Sequence, residues 1–145
     1  MIRKITPADR EIYLRMAHDF YHSEAVLHPV PDEYLARSCD EMMRSEDYLT
    51  GLVFEAEGQI AGYALLNRSW SQEAGGMAVW IEEIYVLEEY RGRGLGHELF
   101  SELEKFAPAV RYRLEIEPDN HRAERLYKSM GFEPMGYLSM VRENP

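Results

Sequence analysis

The sequence predicts a mixed α/β domain built on a sheet that begins as an antiparallel meander. Apolar residues recur with a helical period in two segments before residue 45, and with period two in three segments between residues 49 and 86. Helical and extended patterns then alternate along the rest of the chain. With 145 residues, 46% of them hydrophobic, the chain is long enough to bury a core. No internal repeat or linker divides it, so we expect a single domain over residues 1–145.

Two helices are expected first. The sequence T-P-A-D at residues 6–9 is a typical helix start, because a hydroxyl can cap free amides and proline suits the first turn. Apolar spacing carries this helix to about His22, and the P-V-P segment at residues 29–31 makes the next stretch a bent connection. A second helix is predicted over residues 32–44.

Three strands follow the helices. Leu49 to Ala56 and Ile60 to about Asn67 flank Glu57-Gly58, and this arrangement is typical of a hairpin. A loop of polar residues and glycines comes next. The third strand is predicted from Ala78 to Val86.

The remainder of the chain alternates helix and strand. A helix with one apolar face runs from Leu95 to Phe106, and Pro108 ends it. In residues 111–116 apolar side chains alternate with charges, as in a half-buried strand. A further helix is predicted from a capping asparagine, Asn120, to a left-handed exit at Gly131. A last strand is expected from Met135 to Val141.

The segment R-G-R-G-L-G at residues 91–96 lies between a predicted strand and a predicted helix. A helix N-terminus carries amides without partners and a positive dipole end, and glycine lets the backbone close on a bulky anion. Arg91 and Arg93 add positive charge. The spacing is not that of a dinucleotide fingerprint, since Leu99 stands three residues after Gly96, nor that of a P-loop. On these residues alone, a plain turn and an anion site are both open.

Two motifs together resemble the GCN5-related N-acetyltransferase (GNAT) family. The family signature R/Q-x-x-G-x-G/A is matched at Arg91, Gly94 and Gly96. A second family element, N-x-x-A-x-x-L-Y-x-x-x-G-F, is matched at Asn120, Ala123, Leu126, Tyr127, Gly131 and Phe132. The short signature is weak by itself, but both elements in order, with a strand-like segment between them, make a strong match over about residues 50–141.

The resemblance implies a three-layer fold, with helices flanking a central mixed, largely antiparallel sheet. In this family the strand before the signature and the strand after the following helix run parallel and then splay apart. The gap between these fourth and fifth strands holds the pantetheine arm of acetyl-CoA, and the glycine turn holds the pyrophosphate. The cofactor-binding residues so implied are Ile84, Tyr85, Val86, Arg91, Gly92, Arg93, Gly94, Leu95, Gly96, His97, Asn120 and Tyr127.

The resemblance also implies direct transfer of an acetyl group to an amine. An alkylamine of pKa near 10.4 is neutral in about one molecule in 2,500 at pH 7, a cost of roughly 4.6 kcal/mol, so a base must remove the proton. Glu82 matches the proposed family base, and Tyr127 matches the general acid that protonates the departing thiolate. Glu83 is the runner-up for the base, and period two places it on the opposite face of the strand. The open alternative is that both carboxylates are surface groups.

Acceptor pockets in this family are commonly formed by the first two helices, their connection and the exit of the third strand. Carboxylates and aromatic rings there would suit a cationic amine, and the net charge of −10 is compatible with one. The residues nominated for the acceptor are Tyr21, Glu24, His28, Glu33, Trp70 and Glu83. A small-molecule amine such as a polyamine, an amino acid or a drug-like amine fits this description, and protein lysines and N-termini stay open.

Composition disfavours several other classes of protein. The net charge of −10 disfavours binding to nucleic acid, and no apolar run approaches the roughly 18 residues of a membrane span. A single cysteine, Cys39, excludes an internal disulfide and favours a cytoplasmic protein. His18 and His22 lack a third ligand, so no metal is expected. A non-catalytic acyl-CoA-binding or sensor module stays open. Dimers are common in the family, but no residue pattern identifies a homodimer interface.

Overall fold

The computed structural model describes all 145 residues of the chain. Its strands are β1 (Ile2–Lys4), β2 (Leu49–Ala56), β3 (Gln59–Ser71), β4 (Gly76–Val86) and β5 (Arg111–Leu114), and its α-helices are α1 (Arg10–Tyr21), α2 (Asp32–Arg44), α3 (Leu95–Phe106) and α4 (His121–Ser129). Contacts divide the chain into two units, residues 1–115 and residues 116–145. The first unit holds every strand together with α1 to α3, and the second holds α4. The mixed α/β class is confirmed, and the expectation of one domain stays a prediction.

The five strands form one sheet in chain order. The first four are antiparallel neighbours, and β4 and β5 run parallel. The largely antiparallel mixed sheet is therefore confirmed. Pairing between β4 and β5 covers only Ala78 to Ile81, so residues 82–86 of β4 continue without a partner on that side. This is the opening expected between the fourth and fifth strands.

A β-bulge interrupts the pairing of β3 with β4. Leu65 pairs with Glu83, but the next residue, Leu66, pairs with Ile81. Glu82 is therefore an extra residue on β4, opposite no single partner. Because a bulge breaks the alternation of side chains between the two faces of a sheet, it decides where the carboxylates of β4 point.

Helices cover both faces of the sheet. Helices α1 and α2 pack on one face, around a core formed by Tyr13, Met16, Ala17, Leu35, Cys39, Met42, Val53, Tyr63 and Leu65. Leu66 is buried on the opposite face, since neighbouring residues of a strand alternate. On that same face the Arg68 guanidinium donates to the Phe106 carbonyl at the end of α3. Helix α3 buries its own leucines there, so the three-layer arrangement is confirmed.

The two ends of the chain differ from the sequence prediction. Strand β1 has only three residues, too few for a periodic pattern to reveal it. The strand expected from Met135 to Val141 is wrong, because residues 132–145 form neither helix nor strand. A strand needs a partner for its backbone groups, and the unit 116–145 contains no other strand. No helix has the length and the apolar character needed to cross a bilayer.

Candidate active site

The glycine turn leads from β4 into α3 through two left-handed residues. Gly92 and Gly94 have φ of 76° and 80°, values that residues with side chains rarely adopt. A Cβ on either residue, or on Gly96, would meet no atom within 4 Å, so the space around the turn is open. No side chain caps α3, and its first backbone bond joins the Glu98 amide to the Gly94 carbonyl. The amides that precede Glu98 thus lack helical partners and are available to an anion.

The two arginines of this turn are held by local contacts. Arg91 donates from Nε to the Val86 carbonyl at 2.8 Å, and its guanidinium lies 5.9 Å from the centre of the Tyr85 ring. Arg93 lies 3.3 Å from the carboxylate of Glu57, which neutralises part of its charge. Both guanidinium groups therefore stay beside the turn and the end of β4.

Other predicted cofactor contacts in the first unit involve backbone groups. Leu95 is buried, so its amide rather than its side chain is available, and the side chain of His97 is exposed. Ile84 and Tyr85 lie in the part of β4 that has no partner toward β5. An extended chain such as a pantetheine arm could pair with backbone groups left open in this way.

The bulge turns both glutamates of β4 toward the face covered by α1 and α2. Glu83 accepts a hydrogen bond from the Tyr63 hydroxyl at 2.8 Å, and Glu82 accepts one from the side-chain amide of Asn67. Tyr63, Leu65 and Asn67 share one face of β3, because they are two residues apart. The two carboxylates therefore lie on that face as well. The expectation that Glu83 points away from Glu82 is wrong, because the extra residue shifts the alternation.

Glu83 is the more enclosed of the two carboxylates. Only 6% of the residue is exposed, and no basic group lies within ion-pairing distance of it. The hydroxyl of Tyr21, the last residue of α1, donates to Oε2, while Tyr63 donates to Oε1. Burial raises the pKa of Glu83 above its usual value, and the two phenol hydrogen bonds oppose that shift.

Glu82 stands at the surface, on the rim of an open cleft of ≈ 680 Å³. The cleft is lined by Tyr48, Leu49, Asn67, Arg68, Ser69, Trp80, Glu82 and Glu115. Partial loss of hydration raises the pKa of Glu82, the charge of Glu115 raises it further, and the bond from Asn67 opposes the rise. The Arg113 guanidinium lies over the Trp80 ring, 4.1 Å from its centre, so the two carboxylates and the Tyr48 ring are the groups of this cleft that can bind a cationic amine.

The structure brings together part of the predicted acceptor set. Tyr21 donates a hydrogen bond to Glu83, the neighbour of Glu82 on β4. Burial raises the pKa of Tyr21, and the bond to Glu83 and the charges of Glu83 and Glu82 raise it further. Trp70 pairs with Met77, four to five residues along the strand from the bulge and therefore roughly 15 Å away. The remaining nominated residues are exposed and have no hydrogen bond to either carboxylate: Glu24, His28 and Glu33.

The second unit carries the two remaining predicted residues, Asn120 and Tyr127. The Asn120 side chain accepts a hydrogen bond from the Ala123 amide at 3.1 Å, which confirms it as the cap of α4. The ring of Tyr127 packs edge-to-face on Phe132, with centroids 5.9 Å apart, and Gly131 (φ 92°) makes the left-handed exit that was expected. Burial raises the pKa of Tyr127 and keeps its phenol protonated, as a general acid requires.

The sequence reasoning missed several residues of the site: Tyr63, Asn67 and Glu115 around the two carboxylates, and Tyr48 and Trp80 in the lining of the cleft. A polar Asn67 at the end of an otherwise apolar strand face is a signal that could have identified that residue. Tyr63 looks like an ordinary core residue in the sequence. Glu115 follows β5 directly, and only the parallel pairing of β5 with β4 brings it near Glu82.

Comparison with known proteins gives matches along most of the chain. A model of the acetyltransferase (GNAT) family matches residues 12–132. A candidate ribosomal protein bS18-alanine N-acetyltransferase of Bacillus subtilis is 35% identical over 67% of this chain and 60% of its own length. An uncharacterized Mycobacterium leprae protein is 32% identical over 94% of this chain but 35% of its own length. The thialysine N-epsilon-acetyltransferase of Mus musculus is 25% identical over 95% of this chain and 89% of its own length. The chain thus spans less than two thirds of the first two relatives.

Solved structures share the fold. A possible acetyltransferase from Clostridium difficile 630 superposes with a TM-score of 0.85 at 20% identity, covering 100% of this chain and 97% of that one. The aminoglycoside acetyltransferase AAC(6′)-Iy, solved with a bisubstrate analogue that contains CoA, gives 0.82 at 18% identity, covering 100% and 98%. At these identities the likeness establishes the fold alone.

Proposed function

Because the chain belongs to the acetyltransferase (GNAT) family, whose enzymes are N-acetyltransferases with acetyl-CoA as acetyl donor, we propose that it acetylates a primary amine of a small cationic molecule. The observation that carries this proposal is the bulge at Glu82. It sets a carboxylate on the rim of a cleft with acidic and aromatic walls, on the strand that loses its partner β5 at that point. A cytoplasmic location and a homodimer stay predictions.

The residues present fit acetyl-CoA, which supplies the activated acetyl group when bound. The open amides between Gly92 and His97 would hold its pyrophosphate, as helix N-termini hold anions. Arg91 and Arg93 would add positive charge at the same turn. The side of β4 that no strand pairs with at Ile84, Tyr85 and Val86 would hold the pantetheine arm, although the Val86 carbonyl already accepts a hydrogen bond from Arg91. Asn120 and Tyr127 match family positions in the second motif.

Glu82 is the proposed general base. Its carboxylate is fixed by the Asn67 amide and reaches solvent at the cleft, where it can take the proton of an acceptor ammonium. Its raised pKa brings it closer to the pKa of an amine, which favours proton transfer at neutral pH. Glu83 is less suited to this role, because both of its oxygens accept hydrogen bonds from phenols and the residue is buried.

Tyr127 is the proposed general acid. As the amine nitrogen bonds to the acetyl carbon, the carbon–sulfur bond breaks and the thiolate needs a proton. A phenol whose pKa is raised by burial is fully protonated at neutral pH and can donate that proton. This assignment rests on the motif match at Tyr127 and on its protonation state.

The acceptor is proposed to be small and cationic. Glu82 and Glu115 have no ion-pair partner within the protein, and Tyr48 supplies an exposed aromatic ring. The Trp80 ring is already covered by the Arg113 guanidinium, 4.1 Å from its centre, and Arg68 also lines the cleft, so the two carboxylates and Tyr48 are the groups offered to a cation. Such a cleft is complementary to an alkylammonium group in charge and in surface character. The Mus musculus relative is named for thialysine and AAC(6′)-Iy for aminoglycosides, and both names describe cationic amines.

The test begins with calorimetric titration of acetyl-CoA and continues with thiol-release assays against diamines, polyamines, amino acids, aminoglycosides and peptides with free N-termini. Binding with turnover on a small amine supports the proposal. Binding without turnover on any amine would identify a sensor module instead, and absence of binding would overturn the cofactor assignment. Turnover restricted to peptides would make the acceptor a protein.

Variants of the base sharpen this test. Glu82→Gln should lower kcat/KM by about 10²-fold or more and remove the fall in rate at low pH, while acetyl-CoA affinity stays within about twofold. Glu104→Gln, which removes an exposed carboxylate on α3, is the matched control. An unchanged pH profile in the Glu82 variant would exclude this residue as the base.

A further inference from the structure

The buried carboxylate of Glu83 has no role in the proposed chemistry, although the bulge places it beside the proposed base. We propose that Glu83 is a positioning residue that acts through Tyr21: it fixes the C-terminal end of α1 next to Glu82 and thereby sets the affinity for the acceptor amine. This inference rests on the proposed function and concerns the acceptor side of the same site.

The hydrogen bonds of Glu83 join the sheet to α1. One oxygen accepts from Tyr63, a fully buried residue of β3 that packs edge-to-face on Tyr13 with centroids 5.1 Å apart. The other oxygen accepts from Tyr21, which is half-buried at the end of α1. The hydrogen bond from Tyr63 fixes Glu83 on the core side. The hydrogen bond from Tyr21 links Glu83 to the end of α1, on the side of the surface where Glu82 lies.

The α1–α2 connection begins immediately after Tyr21. Hydrogen bonds within residues 22–31 are local, and each joins groups no more than four residues apart, as between the Ser23 amide and the Phe20 carbonyl. The connection carries exposed side chains that include Leu27, which is 74% exposed. The Tyr21–Glu83 hydrogen bond joins the residue before this connection to the sheet, beside the ring contact of Phe20 with Tyr85, while Val30 near the end of the connection packs against the core.

The chemistry of the cluster explains why a carboxylate serves as the anchor. Burial of a carboxylate without a cation costs free energy, and hydrogen bonds from phenols offset part of that cost. Breaking these bonds is therefore unfavourable, and the phenols are held in fixed positions. The titratable groups that face Glu83 are Tyr13, Tyr21, Tyr63 and Glu82, and none of them is a cation. Loss of the charge or of the Tyr21 hydroxyl should release the end of α1 without unfolding the sheet.

The experiment compares Tyr21→Phe, Glu83→Gln and the double variant, with Tyr13→Phe as matched control because the Tyr13 hydroxyl donates no hydrogen bond. We expect each single variant to raise the acceptor KM by about tenfold, equivalent to about 1.4 kcal/mol. The double variant should be no worse than either single one, since both changes break the same bond. The acetyl-CoA Kd and the shape of the pH profile of kcat should stay unchanged.

A readout independent of turnover accompanies the kinetics. Amide hydrogen exchange in residues 22–31 should be about tenfold faster in Tyr21→Phe than in the unmodified protein or in Tyr13→Phe. Because Tyr21 is half-buried, this variant carries the test if Glu83→Gln fails to fold.

Results that would overturn this inference differ from the result that would overturn the proposed function. Loss of the low-pH limb in Glu83→Gln with an unchanged KM would make Glu83 the base and overturn the inference. An unchanged KM in Tyr21→Phe, or additive effects in the double variant, would also overturn it. Failure of the proposed function would instead appear as absent turnover in the unmodified protein.

Discussion

Replacement of Tyr63 by phenylalanine tests how strongly the buried carboxylate depends on its phenol donors. The Tyr63 hydroxyl lies 2.8 Å from Oε1 of Glu83, and 6% of Glu83 is exposed. The substitution removes one oxygen and leaves the ring in place. Oε1 then stays buried without a donor, and water cannot easily replace the hydroxyl.

The expected loss of unfolding free energy is about 2 kcal/mol, since hydrogen bonds to charged groups contribute about 1.5–3 kcal/mol. For a chain of this length that loss lowers Tm by roughly 4–8 °C. The folded-state pKa of Glu83 is raised, so its neutral form stabilises the fold below the unfolded pKa, and this stability is lost as pH rises through the folded pKa. Tyr63→Phe raises that pKa further, so its penalty is greatest at high pH and shrinks as the pH falls.

The assay is urea denaturation of both proteins from pH 8 downward, with Tyr13→Phe as control. Tyr13 is similarly buried and packs edge-to-face on Tyr63, but its hydroxyl donates no hydrogen bond. The control should change the unfolding free energy by less than about 1 kcal/mol at every pH. Equal losses in the two variants, or a loss for Tyr63→Phe that grows as pH falls, would refute the reasoning.

Three further predictions concern other parts of the molecule. Arg3→Ala removes two hydrogen bonds to Asp9, whose pKa Arg3 lowers to about 2, and one to Glu55, and should cost about 1–2 kcal/mol at pH 7 after solvent screening. In denaturation experiments the part of this loss that comes from Asp9 should shrink as the pH falls from about 4 through about 2, because folded Asp9 becomes protonated only near the lower value. Gly62→Ala would push a methyl group into the Tyr85 carbonyl and should cost about 1–3 kcal/mol in urea denaturation. Tyr127→Phe should lower kcat by about 10²-fold but weaken acetyl-CoA binding much less, as calorimetry would show.

Local sequence signals determined most of the elements. The bounds of α2 and β2 agree with prediction, because the spacing of apolar residues changes from a helical to an alternating pattern between them, and this spacing can be detected from neighbouring residues alone. The glycine turn before α3 and the Asn120 cap of α4 are likewise short-range features. The family motif located the proposed cofactor site for the same reason, since its residues are contiguous in the chain.

Structural features that depend on a partner far away in the chain could not be predicted from the sequence. Strand β1 is defined by its pairing with β2 rather than by its own three residues. The tail at Met135–Val141 has a strand-like pattern, but nothing within its unit pairs with it. Trp70 was nominated for the acceptor, yet the register of β3 against β4 places it far along the hairpin from Glu82.

The sequence by itself determined that two adjacent glutamates lie on the strand before a glycine turn, and it identified the chemistry they would serve. Only the tertiary structure decided that Glu82 and Glu83 face the same way, one at a cleft and the other buried under two tyrosines. The physical reason is that a bulge is a property of two paired strands. Its extra residue is set by the register of β3 against β4, which no local pattern in either strand records.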